Sequence, residues 1–462
     1  MAVKSPREPN LAFTRLVKAC GCTYAALART INIVARESGV VLNYQAPSIH
    51  QWMEGGKPQY PGVPTFVAEA LTRRLGVPVS VSDTGMVDHP DHDVGLRWTP
   101  TTDAVAELVE LGRSVMERRA FLQHSAYSLA AALTVPGWTE IAARGLHAAS
   151  ANHPRIGAGD VAAVRRMTEM ISEMDHVHGS GQARTAATSY LTNDVAHFLR
   201  ADAPAAVRRE LYTATAQLTY LIAWMSWDAE QQSLAQRQYT LGLQFAAAAD
   251  DQGAYATLLR GMCVQASDLG YYPAAEHLAA HALQASVGAE TSPRTAAFIG
   301  GRLAIAQAGN GDRHTALATW RTADRAFQRA TSTADSGSGF HESAHHHTHA
   351  LLLQQMGDLA GAEVAMARSN STRPDLERRS RAITSARLAE IRLDRGHLEE
   401  ACATWDSFLA DAAAVRSGRV ETAGATMLAK LRPHQHHPLV QPLREQAHEL
   451  GWSVHSRAQR WI

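Results

Sequence analysis

The sequence predicts an all-helical chain, with a small N-terminal helical head followed by a long solenoid of helical hairpins. Three observations carry this. Ala, Leu, Arg, Glu and Gln dominate, short Gly, Pro and Asp stretches break them up, and strand signals are nearly absent. Four glycines (Gly270, Gly311, Gly357 and Gly396) recur at separations of 41, 46 and 39 residues in the same local context. Near the N-terminus, PSIHQWMEGGKP (residues 47–58) reads as a short helix with one buried and one polar face.

The head comes first, over residues 1–85. Thr23-Tyr24-Ala25-Ala26-Leu27-Ala28 reads as a helix start, with a threonine cap and then an apolar stripe with a small residue for close packing. In the next helix Pro47 suits the first turn. Ile49 and Trp52, three apart, face inward, while Ser48, His50 and Gln51 face outward with hydrogen-bonding side chains. Gly55 and Pro58 end the helix. This is what a helix entering a major groove requires, with its neighbours holding phosphates. Residues 1–85 carry nine Lys or Arg against five Asp or Glu, an excess of +4 in a chain whose net charge is zero. Any polyanion-binding surface is therefore local to the head. These residues predict a helix-turn-helix that binds double-stranded DNA through Thr23, Arg29, Ser48, His50, Gln51 and Lys57. The alternative for the same helices is a plain packing or dimerisation module.

Residues 86–155 read as linker and helical connector. The acidic, proline-bearing stretch at 83–103 and ASANHPRIGAGD at 149–160 bound it. Arg118-Arg119-Ala120-Phe121-Leu122 followed by an alanine-rich run looks like a twin-arginine signal, but it lies over a hundred residues into the chain and reads as an amphipathic helix.

Residues 156–455 form the body. Five residues after each of the four glycines comes alanine: Ala275, Ala316, Ala362 and Ala401. Seven before comes Cys263, Ala304, Ala350 or Ala389, and eight before comes Met262, Leu303, His349 or Leu388. Each unit is then helix, glycine turn, helix, with small residues where two helices approach. Ala316, Trp320 and Ala323 share their spacing with Ala401, Trp405 and Phe408. The pattern resembles the tetratricopeptide repeat, at a longer period than its usual length. Such pairs stack because none buries its apolar face alone, and stacking leaves a concave surface.

The head stretch from ALARTINIVARESG to SVSDTGM resembles the N-terminus of a family of actinobacterial regulators. These carry a helix-turn-helix of the Cro/repressor (XRE) type and a tetratricopeptide-like body. The family includes streptomycete negative regulators of sporulation and antibiotic production. MDHVHGSGQARTAATSYL and LIAWMSWDAEQQSLAQRQYTLGLQFA extend the resemblance into the body. The most specific parts are Trp52, Gly55 and Pro58, and the AWMSWDAEQQSLAQRQY block. The resemblance implies a cytoplasmic, homodimeric transcription regulator of development or secondary metabolism. Two features depart from the family. Gln51 and Gln59 stand where relatives place arginine, removing two possible phosphate or guanine contacts. Some fifteen to twenty residues separate Ala28 from Pro47, where a typical turn takes about three or four. A degenerate head on a repeat scaffold acting through protein partners is the alternative.

The architecture also resembles Gram-positive peptide-sensing regulators, in which a repeat body binds the effector. That likeness implies a peptide, small-molecule or protein effector contacting Trp224, Trp227, Asp228, Gln231, Arg260, Gln265, Arg302 and Gln307. For each of these, ordinary helix packing or a solvated face is the competing reading.

The remaining motifs do not argue for an enzyme. His341-Glu342-Ser343-Ala344-His345 has the H-E-x-x-H spacing of zinc proteases, but it falls at the start of a repeat helix with no third ligand in place. Incidental metal binding, or a histidine-rich packing face of His345, His346 and His349 that is sensitive to pH, is the better reading. His178-Gly179-Ser180-Gly181 lacks the preceding strand of a nucleophile elbow. His434, His436 and His437 sit in a proline-bounded loop. The four cysteines, Cys20, Cys22, Cys263 and Cys402, form neither a metal quartet nor a disulfide framework, which points to a reducing compartment. No apolar run approaches the ~20 residues of a membrane span. MAVKSPREPNLAF lacks the core of a signal peptide. No cofactor or metal is expected.

Overall fold

The computed structural model describes residues 8–37, 40–60, 62–77, 79–86, 104–116, 127–138, 156–289, 291–330 and 340–452. These residues are helical wherever regular structure forms, and they contain no strand. The twin-arginine-like Arg118–Leu122 and most of both linker stretches lie outside them. The chain divides into two compact units: Met1–Pro136 with Gln231–Leu241, and Gly137–Glu230 with Gly242–Ile462.

The first unit opens with α1 (Leu11–Cys20), α2 (Tyr24–Glu37), α3 (Ala46–Met53) and α4 (Val63–Leu75). Phe13, Val17, Leu27, Ile31, Val34, Ile49, Trp52, Phe66, Val67 and Leu71 make one core. The expected helix start holds: the Thr23 hydroxyl accepts from the Ala26 amide. The wide gap between the two central helices closes in a way the sequence reading missed. After Ala28 the helical period continues through Ile31, Val34 and Ala35, all fully buried, so α2 runs on to Glu37. Only positions 38–45 connect it to α3. Asn32 fixes that connection. Its amide donates to the Tyr44 carbonyl at 2.8 Å and accepts from the Tyr44 amide at 2.9 Å. The Tyr44 ring then meets Trp52 edge-on at 4.8 Å. One polar side chain thus satisfies a loop residue's backbone at both ends and sets where α3 begins.

Two short helices follow, α5 (Ala104–Met116) and α6 (Leu129–Leu133). Glu69 of α4, only 4% exposed, accepts from the Leu129 amide at 3.0 Å. Gln236 exchanges two hydrogen bonds of 2.7 Å with the Ser128 backbone.

The second unit begins with α7 (Ala158–His178), then α8 (Ser180–Tyr190), which passes through a π turn at Leu191–Val195 into α9 (Ala196–Arg200). Next come α10 (Ala205–Asp228) and α11 (Gln232–Ala248), the latter belonging to this unit from Gly242 onward. Hairpins follow in series: α12 (Gln252–Asp268) with α13 (Tyr272–Gly288), α14 (Pro293–Gly309) with α15 (Arg313–Arg329), α16 (Glu342–Gln355) with α17 (Leu359–Ser371), and α18 (Arg378–Asp394) with α19 (Leu398–Ala412). The unit ends with α20 (Gly418–Leu431) and α21 (Val440–Glu449).

This is the α-solenoid of helical hairpins that the glycine frame predicts. Gly270, Gly311, Gly357 and Gly396 all have φ between 76° and 90°, the left-handed region where a Cβ is penalised. The residue after each donates back across the turn: Tyr271 to Ala266, Asp312 to Gln307, Asp358 to Leu353 and His397 to Arg392, at 2.8–3.0 Å. That is the Schellman closure of a helix end. Asp312 and Asp358 then cap the next helix through Thr315 and Gly361. The small residues five after and seven before each glycine are fully buried.

A further copy of this turn escaped the sequence reading. Glu230 has φ 60° after α10, with Ala223 seven before and Ala235 five after, both fully buried. Glutamate in the glycine place hid it.

Candidate functional site

On the head, α3 places its residues as its amphipathic spacing demands. Ile49 and Trp52 are buried, His50 and Gln51 are exposed, and Ser48 is half-buried. Gly55 (φ 79°) ends the helix, and the Gly56 amide reaches the Gln51 carbonyl at 2.8 Å. Lys57 and Gln59 project beyond it, both exposed. Arg29 is exposed on α2, the helix that packs beside α3. Thr23 is also exposed, and its hydroxyl caps α2.

The head's charge is not all available to a partner. Arg73 is 8% exposed and holds the Glu37 carboxylate with two bonds of 3.0 and 2.7 Å, and Glu69 at 2.7 Å. Arg74 donates to the Thr30 hydroxyl. Arg15, Lys18, Arg29, Arg36, Lys57 and Arg74 remain on the surface, against exposed Glu8, Glu54 and Asp83. The surface thus keeps a cationic excess after the internal pairs are set aside. At the α1–α2 corner the Cys20 and Cys22 sulfurs lie 2.9 Å apart, and burial with the second thiol pushes Cys22 up to about 11.

In the solenoid, the expected effector residues separate into three kinds. Asp228 is structural. It is fully buried, accepts from the Ser180 hydroxyl at 2.9 Å and lies 3.7 Å from Arg379 Nε. Arg379 in turn holds Asp175. Gln231 lies in the turn before α11, within the first unit. The others lie on α10, α12 and α14. Trp224 and Trp227 touch at 4.6 Å between ring centroids. Arg260 lies 4.0 Å over the Phe298 ring, within cation–π range of Tyr220 and Trp224, and donates to the Tyr220 hydroxyl. Arg302, 9% exposed, approaches the same Phe298 ring at 5.9 Å. Gln265 and Gln307 are buried beside them on α12 and α14.

Three residues that the sequence reading did not single out join this group. Arg419 of α20 stacks 3.8 Å over Trp227 and sits 3.6 Å from Asp268. Arg387 of α18 is half-buried and within electrostatic reach of Arg419 and His347. His347 of α16 is held well below the usual imidazole range, first by burial and then by the fields of Arg373, Arg387, Arg302 and Arg419. Burial, with Arg260 beside it, brings Arg302 down to about 10. Arg302 and Arg387 both fall nine residues before a turn glycine, a regularity visible in the sequence once the frame is drawn.

The H-E-x-x-H stretch divides its histidines between two partners. His341 lies outside the helix, at the N-cap of α16, and pairs with Glu377 at 2.6 Å. His345 is buried, pairs with Asp324 at 2.8 Å and stacks on Phe327 at 4.1 Å and Trp320 at 4.8 Å. His349, expected at a core position, is half-buried and stacks on the same Trp320 at 4.7 Å. A zinc protease needs both motif histidines to meet at one point. Among the described residues, no group of three or more His, Cys, Asp or Glu is placed to share a metal ion. The Ser180 of the elbow-like HGSG stretch is committed to Asp228. No helix of the described residues is long and apolar enough to cross a membrane.

Residues 13–87 match the family model described as SP15 N-terminal domain, which spans the helical head and none of the solenoid. Neither the curated proteins nor the solved structures contain a match to the chain.

Proposed function

We propose that the chain is a cytoplasmic DNA-binding transcriptional regulator, homodimeric, whose tetratricopeptide-like solenoid binds an effector. In this reading α2 and α3 act as a helix-turn-helix. His50 and Gln51 read base edges in the major groove, and Ser48, Arg29, Lys57 and the capped N-terminus of α2 at Thr23 hold phosphates. The observation that carries it is α3 itself. Ile49 and Trp52 anchor one face in the core while His50 and Gln51 stand exposed on the other, on a surface with excess cations. Glutamine in place of arginine at 51 favours adenine over guanine as the base read, since a carboxamide pairs bidentately with adenine.

The test is selection of genomic duplexes on the purified full-length protein, followed by gel shift of the retained fragments. Enrichment of a shared half-site in twofold arrangement supports the reading. Enrichment of no fragment at low salt supports instead a scaffold whose head acts through protein partners, the reading that exposed Gln51 and Gln59 favour.

A further inference from the structure

Two buried arginine environments in the solenoid differ in kind. Arg379 shows how this protein builds a structural cation: its guanidinium lies between the carboxylates of Asp175 and Asp228, and every group is nearly inaccessible to water. Arg302 is nearly as buried but has no such partner among the described residues, and its Nε is left without an acceptor. Arg260, 5% exposed, uses one end on the Tyr220 hydroxyl and leaves its other terminal nitrogen unsatisfied. Arg419 has a carboxylate only at 3.6 Å, that of Asp268. The buried amide oxygen of Gln307 and the ring Nδ1 of His347 are also without partners.

Among the described residues, the acids near this group are few or already engaged. Asp228 is bound to Ser180 and Arg379. Glu377 is bound to His341 and Arg373. Glu390 lies in the field of Arg387 and also of Lys430. Asp268 faces both Arg302 and Arg419. Taking guanidinium groups out of water without a counter-charge is strongly unfavourable, so such a cluster is stored strain that an anion would relieve. Guanidinium is also the group best shaped for bidentate capture of phosphoryl or carboxylate oxygens.

We propose that the inner helices of the solenoid form a binding site for a small, multiply charged oxyanion, held by Arg260, Arg302, Arg387 and Arg419, with the half-buried Trp224 ring as a flat wall beside it. This rests on the reading of the solenoid as the effector-binding body and names the chemical class of that effector. It does not depend on the head binding DNA.

The experiment is thermal unfolding and calorimetric titration of the full-length protein without DNA. The probes are inorganic pyrophosphate, citrate, adenosine diphosphate and adenosine, with sodium chloride at matched ionic strength as reference. The expected result is saturable binding and a raised melting temperature with pyrophosphate or citrate, and none with chloride. The better of the two identifies phosphoryl or carboxylate as the charge. Tighter binding of the diphosphate nucleotide than of pyrophosphate adds a ring at Trp224. Arg302→Gln and, separately, the more exposed Arg387→Gln each weaken binding roughly ten- to a hundredfold. The unliganded Arg302→Gln protein melts no lower than the parent.

Absence of binding by every oxyanion overturns the proposal, as does unchanged affinity in both variants. Failure of Arg302→Gln to fold also overturns it, since Arg302 would then be a structural cation like Arg379. A gel shift that fails leaves this result standing, and failure here leaves the DNA reading standing.

Discussion

The Arg379 guanidinium donates to both carboxylate oxygens of Asp175, at 2.6 and 2.5 Å, across 204 residues of sequence. Asp228 and Ser180 complete the cluster, so α7, α8, α10 and α18 share one buried polar knot. Burial pushes the Asp175 carboxyl up and Arg379 opposes it; burial also works to lower Arg379, but the two carboxylates outweigh it and hold the guanidinium above the usual arginine range. Arg379→Met leaves two buried carboxylates facing one another. It should destabilise the solenoid by about 3–5 kcal/mol in denaturant unfolding, with Asp228→Asn in the same background recovering part of the loss. An effect within about 0.5 kcal/mol, the range of surface substitutions, would show that the knot contributes little.

Exposed and buried faces of α3 should separate cleanly by mutation. The double substitution His50→Ala with Gln51→Ala removes exposed side chains, so the head's melting is unchanged while specific DNA affinity falls at least about tenfold. Trp52→Ala removes a core ring that meets Phe13 at 6.4 Å and Tyr44 at 4.8 Å. It should cost about 3–5 kcal/mol of head stability. If the double variant binds its operator as tightly as the parent, α3 is not the reading helix.

Glu69 gives the head a pH dependence of definite sign. Burial raises its carboxyl from 4.5 to about 7, with Arg73 and the Leu129 amide opposing. Between those values the folded state keeps a proton that the unfolded chain has released. Head stability is therefore full below about pH 4.5 as far as this group is concerned, and it declines as pH rises towards 7, by on the order of 3 kcal/mol. Glu69→Gln should flatten this part of the profile. A parent profile with no decline between pH 5 and 7 would contradict it.

Helix α16 should respond in the opposite direction. Burial lowers His345, His347 and His349 below the ordinary 6.5, with Asp324 opposing at His345 and arginines reinforcing at His347. As pH falls below 6.5 the unfolded chain takes up protons that the folded helix resists. The solenoid thus loses stability on acidification, from 6.5 down to the folded values. Melting of the full chain at pH 7.5 and 5.5, compared with His347→Gln, checks this. The variant should show the smaller drop.

The left-handed turn residues offer a stabilising change. Asp250 is exposed at φ 57°, where glycine is unstrained. Asp250→Gly should raise stability by about 1 kcal/mol. Glu230→Gly should gain less, because the Glu230 carboxylate also accepts from Thr422. Equal gains at the two sites would mean that this contact has no weight.

Much of the fold was legible because it follows local periodicity. The glycine frame located four hairpin turns, and Ile49 with Trp52 oriented α3. The turn at Glu230 was hidden because a residue other than glycine occupies a left-handed position there. The length of α2 was not legible because Ile31, Val34 and Ala35 continue the helix into the stretch between Ala28 and Pro47 that reads as a long connection. The candidate solenoid site was only half visible. Arg260 and Arg302 stood on recognisable first helices of the repeat. Arg387, Arg419 and His347 acquire meaning only when α16, α18 and α20 stack inward, and the Asp175–Arg379 pair depends wholly on that long-range closure.

In the proposed function the head binds duplex DNA through charge and α3. Fluorescence anisotropy of the full-length protein with a selected genomic duplex, titrated from about 50 to 200 mM salt, tests it most directly. Log affinity of the parent protein should fall linearly with log salt, at a slope steeper than about −2. His50→Ala with Gln51→Ala should lose sequence preference while keeping that slope. No binding at the lowest salt, or binding that ignores both salt and the α3 substitutions, would contradict it.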